Sequence, residues 1–353
     1  MGVDLVGKTN QVFPLPTNVQ PGDAGAYTVV VSNPGNSATS SPPAVVTVLD
    51  AVLALVTGQW DFNQGDLRAT CGSDLQYFDG SVQASTSFDT TTSFGISDID
   101  GQAAPVMKFI PTSGNSRGGG GNPTTNAWGG YRMFHGTAAN GGGTNVNQYT
   151  LIVDVLYPSV SDLAWRALLQ ASTNATTGGD ASEYYLNTAN GIGISSIYQG
   201  NVTPDVWHRI AVAVDLSGPG THPAVEKFID GVKVGEQTGG LSAADGRFSL
   251  NPILALLFAE NAGYNSDAYV SSVQFRNGRL SDSAIAAMGG PGAGKIPGAA
   301  CANVQGANVV IHWSGNTLKS ADSLAGPWTT IVGASKPYTA TVPLADKKFF
   351  RSQ

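Results

Sequence analysis

Two loops rich in oxygen-bearing side chains are the first candidates for chemistry in this sequence. They span residues 174–187 and 258–270, and their carboxylates and amides are the hard ligands that calcium collects, about six to eight oxygens at a time. The predicted metal ligands are Asp180, Glu183, Glu260 and Asp267, with Asn174, Asn261 and Asn265 beside them. The alternative is that these side chains are only solvated, as most exposed loop residues are.

The same loops contain the carboxylates that a glycan-cleaving enzyme would need. Such an enzyme uses one carboxyl group as acid and a second as nucleophile or base. Glu183 has Asp180 three residues away, and a pairing across strands, for instance with Glu260, remains open. His135, in a glycine-rich loop, is the candidate catalytic histidine, whereas His208 lies in a strand and is expected to pack. A Ser–His–acid triad has no support, because the G-x-S-x-G motif is absent.

Aromatic side chains provide a third kind of site, because their faces stack on sugar rings while neighbouring amides and carboxylates bind the hydroxyls. Trp128 and Tyr131 lie in a polar, glycine-rich loop and are the preferred stacking pair. Tyr184 and Tyr198 are further candidate ligand-binding residues. Trp165 and Tyr185 are expected to be buried more often than exposed.

The elements that would position these residues are β-strands. Apolar residues occupy both registers of VWHRIAVAVDL (206–216), which favours a strand covered on both faces. Asp230 and Gly231 separate two β-rich runs and predict a type I′ hairpin turn. Ser281 is expected to cap a short helix that Gly289 ends.

The run from 148 to 288 also resembles a known fold. In order, QYTLIVDVLYP, WRALLQAS, GIGISSIYQG, VWHRIAVAVDL, VEKFIDGVKVGEQ and YVSSVQFRNGRL are similar to the second half of a laminin G-like domain. The resemblance implies a jelly roll of the concanavalin A-like lectin and glucanase superfamily over residues 57–290. Relatives of this kind bind glycans, bind calcium at loop ends or hydrolyse glycans. The E-x-D-x-x-E strand motif of the glucanases is missing, which puts their mechanism in doubt.

Residues 1–50 resemble the end of an immunoglobulin-like domain. Asp23, Gly25 and Tyr27 match the D-x-G-x-Y of a tyrosine corner, and 29–33 with 44–49 would form the last hairpin. Only about half of such a domain is present, so we expect a piece of a longer modular protein. Two strands alone are marginal in water, and their open edge predicts a homodimer through this segment.

The C-terminal part is predicted to be a linker over 291–302 and a small β-rich module over 303–353, similar to modules of secreted bacterial proteins. The alternative is that its strands pack on the jelly roll as one body. Cys71 and Cys301 stand at the two ends of the predicted jelly roll. A disulfide between them and a pair of unlinked thiols both remain open, since pairing depends on distance.

The composition of the chain argues against some classes of partner. The net charge of −7 and the lack of a basic run argue against nucleic acid, and no apolar stretch is long enough to span a membrane. We therefore predict an all-β, secreted protein whose signal peptide is not in this chain. The favoured function is carbohydrate binding or adhesion within a larger protein, with calcium as the candidate cofactor. The alternative is a glycan-active hydrolase or lyase.

Overall fold

The computed structural model describes residues 25–46, 54–111, 130–171, 183–218, 222–238, 243–246, 248–259, 265–305, 308–323, 326–341 and 348–352. The chain divides into two compact units, Met1–Leu53 and Ala54–Gln353. In the described residues no helix is both long and apolar enough to cross a bilayer.

The described part of the first unit consists of two short antiparallel pairs. Its strands are β1 (Gly25–Tyr27), β2 (Val30–Asn33), β3 (Asn36–Thr39) and β4 (Ala44–Val46). The predicted pairing of 29–33 with 44–49 is wrong, because β2 pairs with β3 and β1 with β4. The reason is a tight turn at Pro34 and Gly35, where the Asn33 side chain accepts backbone hydrogen bonds from Gly35 and Asn36, both at 2.9 Å.

The second unit is almost entirely β-structure. Its strands are β5 (Val56–Trp60), β6 (Gln76–Tyr77), β7 (Ser87–Thr90), β8 (Pro105–Phe109), β9 (Tyr131–Met133), β10 (Gln148–Leu156), β11 (Arg166–Gln170), β12 (Glu183–Leu186), β13 (Ile192–Ile194), β14 (Ile197–Gln199), β15 (His208–Asp215), β16 (Val225–Ile229), β17 (Val232–Gln237), β18 (Ala255–Leu257), β19 (Ala268–Arg276), β20 (Ala300–Gln305), β21 (Asn308–Trp313), β22 (Leu318–Ala321), β23 (Thr329–Thr330), β24 (Tyr338–Thr341) and β25 (Phe349–Ser352). Its helices are α1 (Gly80–Ser85), α2 (Thr91–Phe94) and α3 (Asp282–Met288).

Two antiparallel sheets form a β-sandwich, as the all-β prediction requires. The first sheet has eight strands in the order β17-β16-β15-β10-β19-β8-β7, with β5 also paired to β19. The second sheet has seven strands in the order β14-β13-β12-β11-β18-β9-β6. Alternate residues of both sheets meet in one core, to which β10 contributes Leu151 and Val153 and the second sheet contributes Leu168 and Leu257.

The hairpin between β16 and β17 confirms the predicted turn. Asp230 and Gly231 have φ of 53° and 81°, and Ile229 pairs directly with Val232. The Asp230 carboxylate also lies 2.7 Å from Nδ1 of His208, while Nε2 of His208 accepts the Thr203 amide at 3.2 Å. Both ring nitrogens of His208 therefore contact neighbouring residues, and the side chain has the structural role that was expected.

Helix α3 covers the outer face of the first sheet. Its cap is the predicted one, because the Ser281 hydroxyl accepts the Ala284 amide at 3.2 Å, and the helix ends at Gly289. Ile285 of the helix packs with Ile152 and Phe228 in a second apolar cluster. Ile296 joins the same cluster and is fully buried, so the segment predicted as a linker lies against the sheet at this residue.

A layer of polar side chains lies on this covered face. Arg209 and Asp154 form a buried, two-pronged ion pair, with Nε–Oδ1 at 2.7 Å and Nη2–Oδ2 at 2.8 Å. Lys295 is also buried, and its Nζ donates to the Ser271 carbonyl at 3.1 Å and hydroxyl at 3.0 Å. Burial lowers the pKa of Lys295 to about 8, against the opposing effect of Asp61 and Asp154.

The C-terminal strands form two three-stranded sheets, β20-β21-β24 and β23-β22-β25. They enclose a small apolar cluster that includes Ile311, Trp313 and Leu318. Cys301 on β20 is bonded to Cys71, which follows β5. The two cysteines are therefore linked, which the sequence alone left open. The predicted domain boundaries stay predictions.

Candidate functional site

Three aromatic side chains lie together on the outer face of the second sheet, and we call them the aromatic cluster: Trp165, Tyr185 and Tyr198. On β12, Tyr184 points into the core, so its neighbour Tyr185 points outward. The register then places Tyr185 beside Gly193 of β13, and Gly193 beside Tyr198 of β14. Two tyrosines therefore flank one glycine across three strands.

Trp165, just before β11, closes the cluster. Its ring centroid is 6.0 Å from that of Tyr185 and 5.3 Å from that of Tyr198, with interplanar angles of 84° and 73°. These are edge-to-face contacts, which are favourable for aromatic pairs. Trp165 and Tyr198 are partly exposed, whereas Tyr185 is only 8% exposed and supports the other two.

The chain around Gly193 explains how these rings come together. A Cβ atom at Gly193 would lie 1.9 Å from the Ile197 carbonyl oxygen, so the close approach of β13 and β14 requires glycine. The turn between the strands is Ser195-Ser196, with φ of 52° and 67°. Serine is an uncommon choice for two positive-φ positions, so the usual Asn-Gly or Asp-Gly signal of this hairpin is missing from the sequence.

Exposed aliphatic side chains occur along the same stretches of chain. Leu163, two residues before Trp165, is 72% exposed, and Ile197, next to Tyr198, is 42% exposed. Ile197 alternates with Tyr198 along β14, so its side chain lies on the other face of the strand, and a single exposed side chain such as Leu163 is ordinary protein surface.

The structure corrects two of the predicted stacking residues. Tyr131 is fully buried; its hydroxyl lies 2.7 Å from that of Thr86, and burial raises its pKa. Tyr184 is fully buried as well and stacks on Phe248, with centroids 5.2 Å apart. Neither ring has a face left for a ligand, because each lies on the core side of its strand. Trp128 lies outside the described residues.

His135 is also a core residue, which corrects its assignment as a catalytic histidine. It is fully buried, its Nδ1 accepts the Thr137 amide at 3.2 Å, and its Nε2 lies 2.9 Å from the Asn251 carbonyl oxygen. Its ring packs on Phe275 at 4.9 Å, and burial lowers its pKa. Both ring nitrogens are occupied in the neutral form, so neither can exchange a proton with a ligand.

The predicted calcium ligands and carboxylate pair remain predictions. Asp180 and Glu260 lie outside the described residues, as does the side chain of Glu183, although β12 begins at that residue. Asp267 is 7% exposed, and its backbone carbonyl accepts the Ser161 hydroxyl at 2.7 Å. Over the part of the chain that the structure describes, no group of three or more His, Cys, Asp or Glu side chains is arranged to hold a metal.

Two cavities open on the second unit, and the charged side chains that line them have opposite signs. One, of about 300 Å³, is lined by Asp98, Asp100 and Asp205 beside Trp207. The other, of about 210 Å³, lies between the sandwich and the C-terminal strands and is lined by Arg68 and Lys336 among others. Sequence reasoning identified neither cavity, because their walls come from distant segments.

Comparisons with known proteins give only distant likenesses. No family model matches the chain, and no curated protein matches it. Among solved structures, domain 4 of AbnA, a GH43 extracellular arabinanase from Geobacillus stearothermophilus in complex with arabinotriose, is 15% identical with a TM-score of 0.41. The match covers 66% of this chain and 97% of that one.

Two further structures are similar at the same level. The receptor-binding domain of botulinum neurotoxin type G is 10% identical with a TM-score of 0.38, and the match covers 66% of this chain and 50% of that one. The CBM40 of Ruminococcus gnavus IT-sialidase, bound to α2,3-sialyllactose, is 17% identical with a TM-score of 0.31. That match covers 41% of this chain and 83% of the module. What this chain binds therefore has to be argued from its own residues.

Proposed function

We propose that this protein is a carbohydrate-binding or adhesion module of a larger secreted bacterial protein, built on a laminin G-like jelly roll with a partial immunoglobulin-like segment before it. The observation that supports the proposal is the aromatic cluster on the outer face of the second sheet. Its partly exposed rings, Trp165 and Tyr198, are held at fixed angles by their contacts with each other and with Tyr185.

Such a cluster suits a sugar because pyranose rings have apolar C–H faces and a polar rim. A tryptophan or tyrosine face buries the apolar side of the ring, and fixing the aromatic ring beforehand reduces the entropy lost on binding. The aromatic cluster therefore replaces the predicted Trp128 and Tyr131 pair as the first site to test.

Trp165→Ala is expected to weaken glycan binding by about tenfold or more, because a central aromatic anchor commonly contributes about 2 kcal/mol. Tyr198→Ala should act in the same direction. A glycan array identifies a ligand, and calorimetry with that ligand then measures the affinities of the variants. The same preparation is assayed for reducing sugar, since release of product would favour the hydrolase alternative.

The matched control for this test is Trp328→Ala. Trp328 is also partly exposed, but it lies among the C-terminal strands beneath Arg351, 4.4 Å from ring centroid to guanidinium carbon. Equal losses in the Trp165 and Trp328 variants, or full binding by Trp165→Ala with its melting temperature preserved, would reject the aromatic cluster as the site.

Secretion is supported by the Cys71–Cys301 bond, because disulfides persist in oxidising compartments. The homodimer through residues 1–50 is part of the same proposal. Val29, Val30 and Val31 of that segment are 62%, 62% and 66% exposed, which leaves an apolar strand available to a second copy. Light scattering before and after deletion of 1–50 measures this association.

Calcium remains the proposed cofactor of the loops at 174–187 and 258–270. An ion that binds only the folded state raises the melting temperature by mass action. We expect the melting temperature in millimolar calcium to exceed that in chelator by several degrees, and the difference to shrink in Asp267→Asn. Identical melting curves in the two buffers would remove the calcium proposal.

A further inference from the structure

The second cavity, here called the seam cavity, has two walls from different parts of the chain. The sandwich contributes the segment after β5, with Asn63, Arg68 and Thr70. The C-terminal strands contribute His312 and Lys336. Its volume of about 210 Å³ is below the roughly 300–1,000 Å³ of sites for drug-sized ligands, and it suits a single sugar ring.

The two walls are fixed to each other covalently. Cys71 directly follows Thr70 of one wall, and its partner Cys301 is paired in register with His312 of the other. The disulfide therefore lies at the edge of the seam cavity and sets the distance between its walls. A site fixed in this way loses little conformational entropy when a ligand enters.

The charged side chains that line the seam cavity are cationic, whereas the protein as a whole is acidic. The chain carries 25 acidic and 18 basic residues. The first cavity, which three aspartates line, has the same sign of charge as the whole chain. Of the described residues that line the seam cavity, none is Asp or Glu, whereas Arg68 and Lys336 stand on opposite walls. Both cations thus face a space into which an anion would fit.

Local contacts position these two cations. The ammonium of Lys336 donates to the Gly315 carbonyl at 2.7 Å and lies 4.5 Å from the centroid of the Trp313 ring. Among the described residues no carboxylate lies within ion-pair distance of Lys336, although the buried Asp61 carboxylate, which accepts the Thr70 hydroxyl at 2.7 Å, acts on it from farther away. Nε of Arg68 is paired with Asp66 at 2.5 Å, which leaves the other nitrogens of its guanidinium to bind a second group.

We propose that the seam cavity binds the carboxylate of a single acidic sugar unit, a hexuronate. The carboxylate would pair with Lys336 and Arg68, while the ring hydroxyls would meet the amides of Asn63 and Gln64 and the Thr70 hydroxyl. This site is separate from the aromatic cluster, and it adds recognition of charge to a protein proposed to bind glycans.

The test is calorimetry on the whole chain with three probes: glucuronate, glucose as its neutral counterpart, and acetate as the bare carboxylate. We expect measurable binding of glucuronate and at least about tenfold weaker binding of glucose and acetate. Lys336→Met, which keeps the stem over Trp313, and Arg68→Gln should each weaken glucuronate binding by about tenfold. Lys348→Met is the matched control, because Lys348 is paired with Asp322 and does not line the cavity.

Each other outcome would overturn the proposal. Equal binding of glucose would show that charge is not recognised, and equal binding of acetate would show an adventitious ion only. Undiminished glucuronate binding by both cavity variants would place the ligand elsewhere. The aromatic cluster is tested with its own array-identified glycan and Trp165→Ala, whereas the seam cavity is tested with glucuronate and the two cavity variants, so failure of one and failure of the other are separate results.

Discussion

Replacing Cys71 and Cys301 by serine should lower the free energy of unfolding by about 4 kcal/mol. The bond closes a loop with a sequence separation of 230 residues, and the loss of chain entropy in the unfolded state grows with the logarithm of loop length. The entropy relation gives about 5 kcal/mol for such a loop, and measured values are commonly about 2–4.

Urea denaturation followed by tryptophan fluorescence, with and without reductant, measures this effect. The reduced wild type and the double serine variant should unfold at the same, lower urea concentration. Because the bond also joins the C-terminal strands to the sandwich, their apolar cluster should melt before the main core in the variant. A change below about 1 kcal/mol would show that packing alone holds the two parts together.

Arg209→Met should lower the free energy of unfolding by about 3–5 kcal/mol. It leaves the Asp154 carboxylate fully buried without its two-pronged partner, and a buried charge that loses its hydrogen-bonded partner is costly even with Lys295 nearby. The double variant Arg209→Met with Asp154→Leu should recover much of the loss, since an apolar pair removes both buried charges.

The control for this pair is Asp66→Asn, which breaks the exposed pair with Arg68. Its expected cost is below about 1 kcal/mol, because water screens exposed charges. Chemical denaturation of all variants in one buffer gives the comparison. If the double variant were less stable than Arg209→Met alone, the ion pair would not be the source of the effect.

Local signals in the sequence predicted much of the β-sandwich. The Asp230-Gly231 turn and the Ser281 cap were identifiable because each depends on a few neighbouring residues with special backbone geometry. The first unit was misassigned at β2 because Pro34 and Gly35 offer a nearer turn than the one expected from the resemblance. Ile296 packs against the outer face of the first sheet. This packing depends on long-range contacts, which the composition of residues 289–299 does not reveal.

The candidate site was harder to predict because strand register decides which aromatic rings are exposed. Tyr184 and Tyr185 are adjacent and chemically identical, yet one lies in the core and the other faces outward. A choice between them requires knowing the inner face of β12. Tyr198 is partly exposed and stays a predicted binding residue, whereas Trp165, next to the buried Arg166, is partly exposed against the expectation that it is buried.

The disulfide also determines how the second unit would respond to mechanical force. A pull applied before Cys71 and after Cys301 passes through the sulfur–sulfur bond and does not reach the strands between them. At about 3.4 Å per extended residue, a sequence separation of 230 corresponds to roughly 780 Å of chain that cannot be drawn out. Under tension the strands between the two cysteines would therefore stay closed, while the segments outside the loop, β5 of the first sheet among them, would carry the load, a property that suits the adhesive role proposed above.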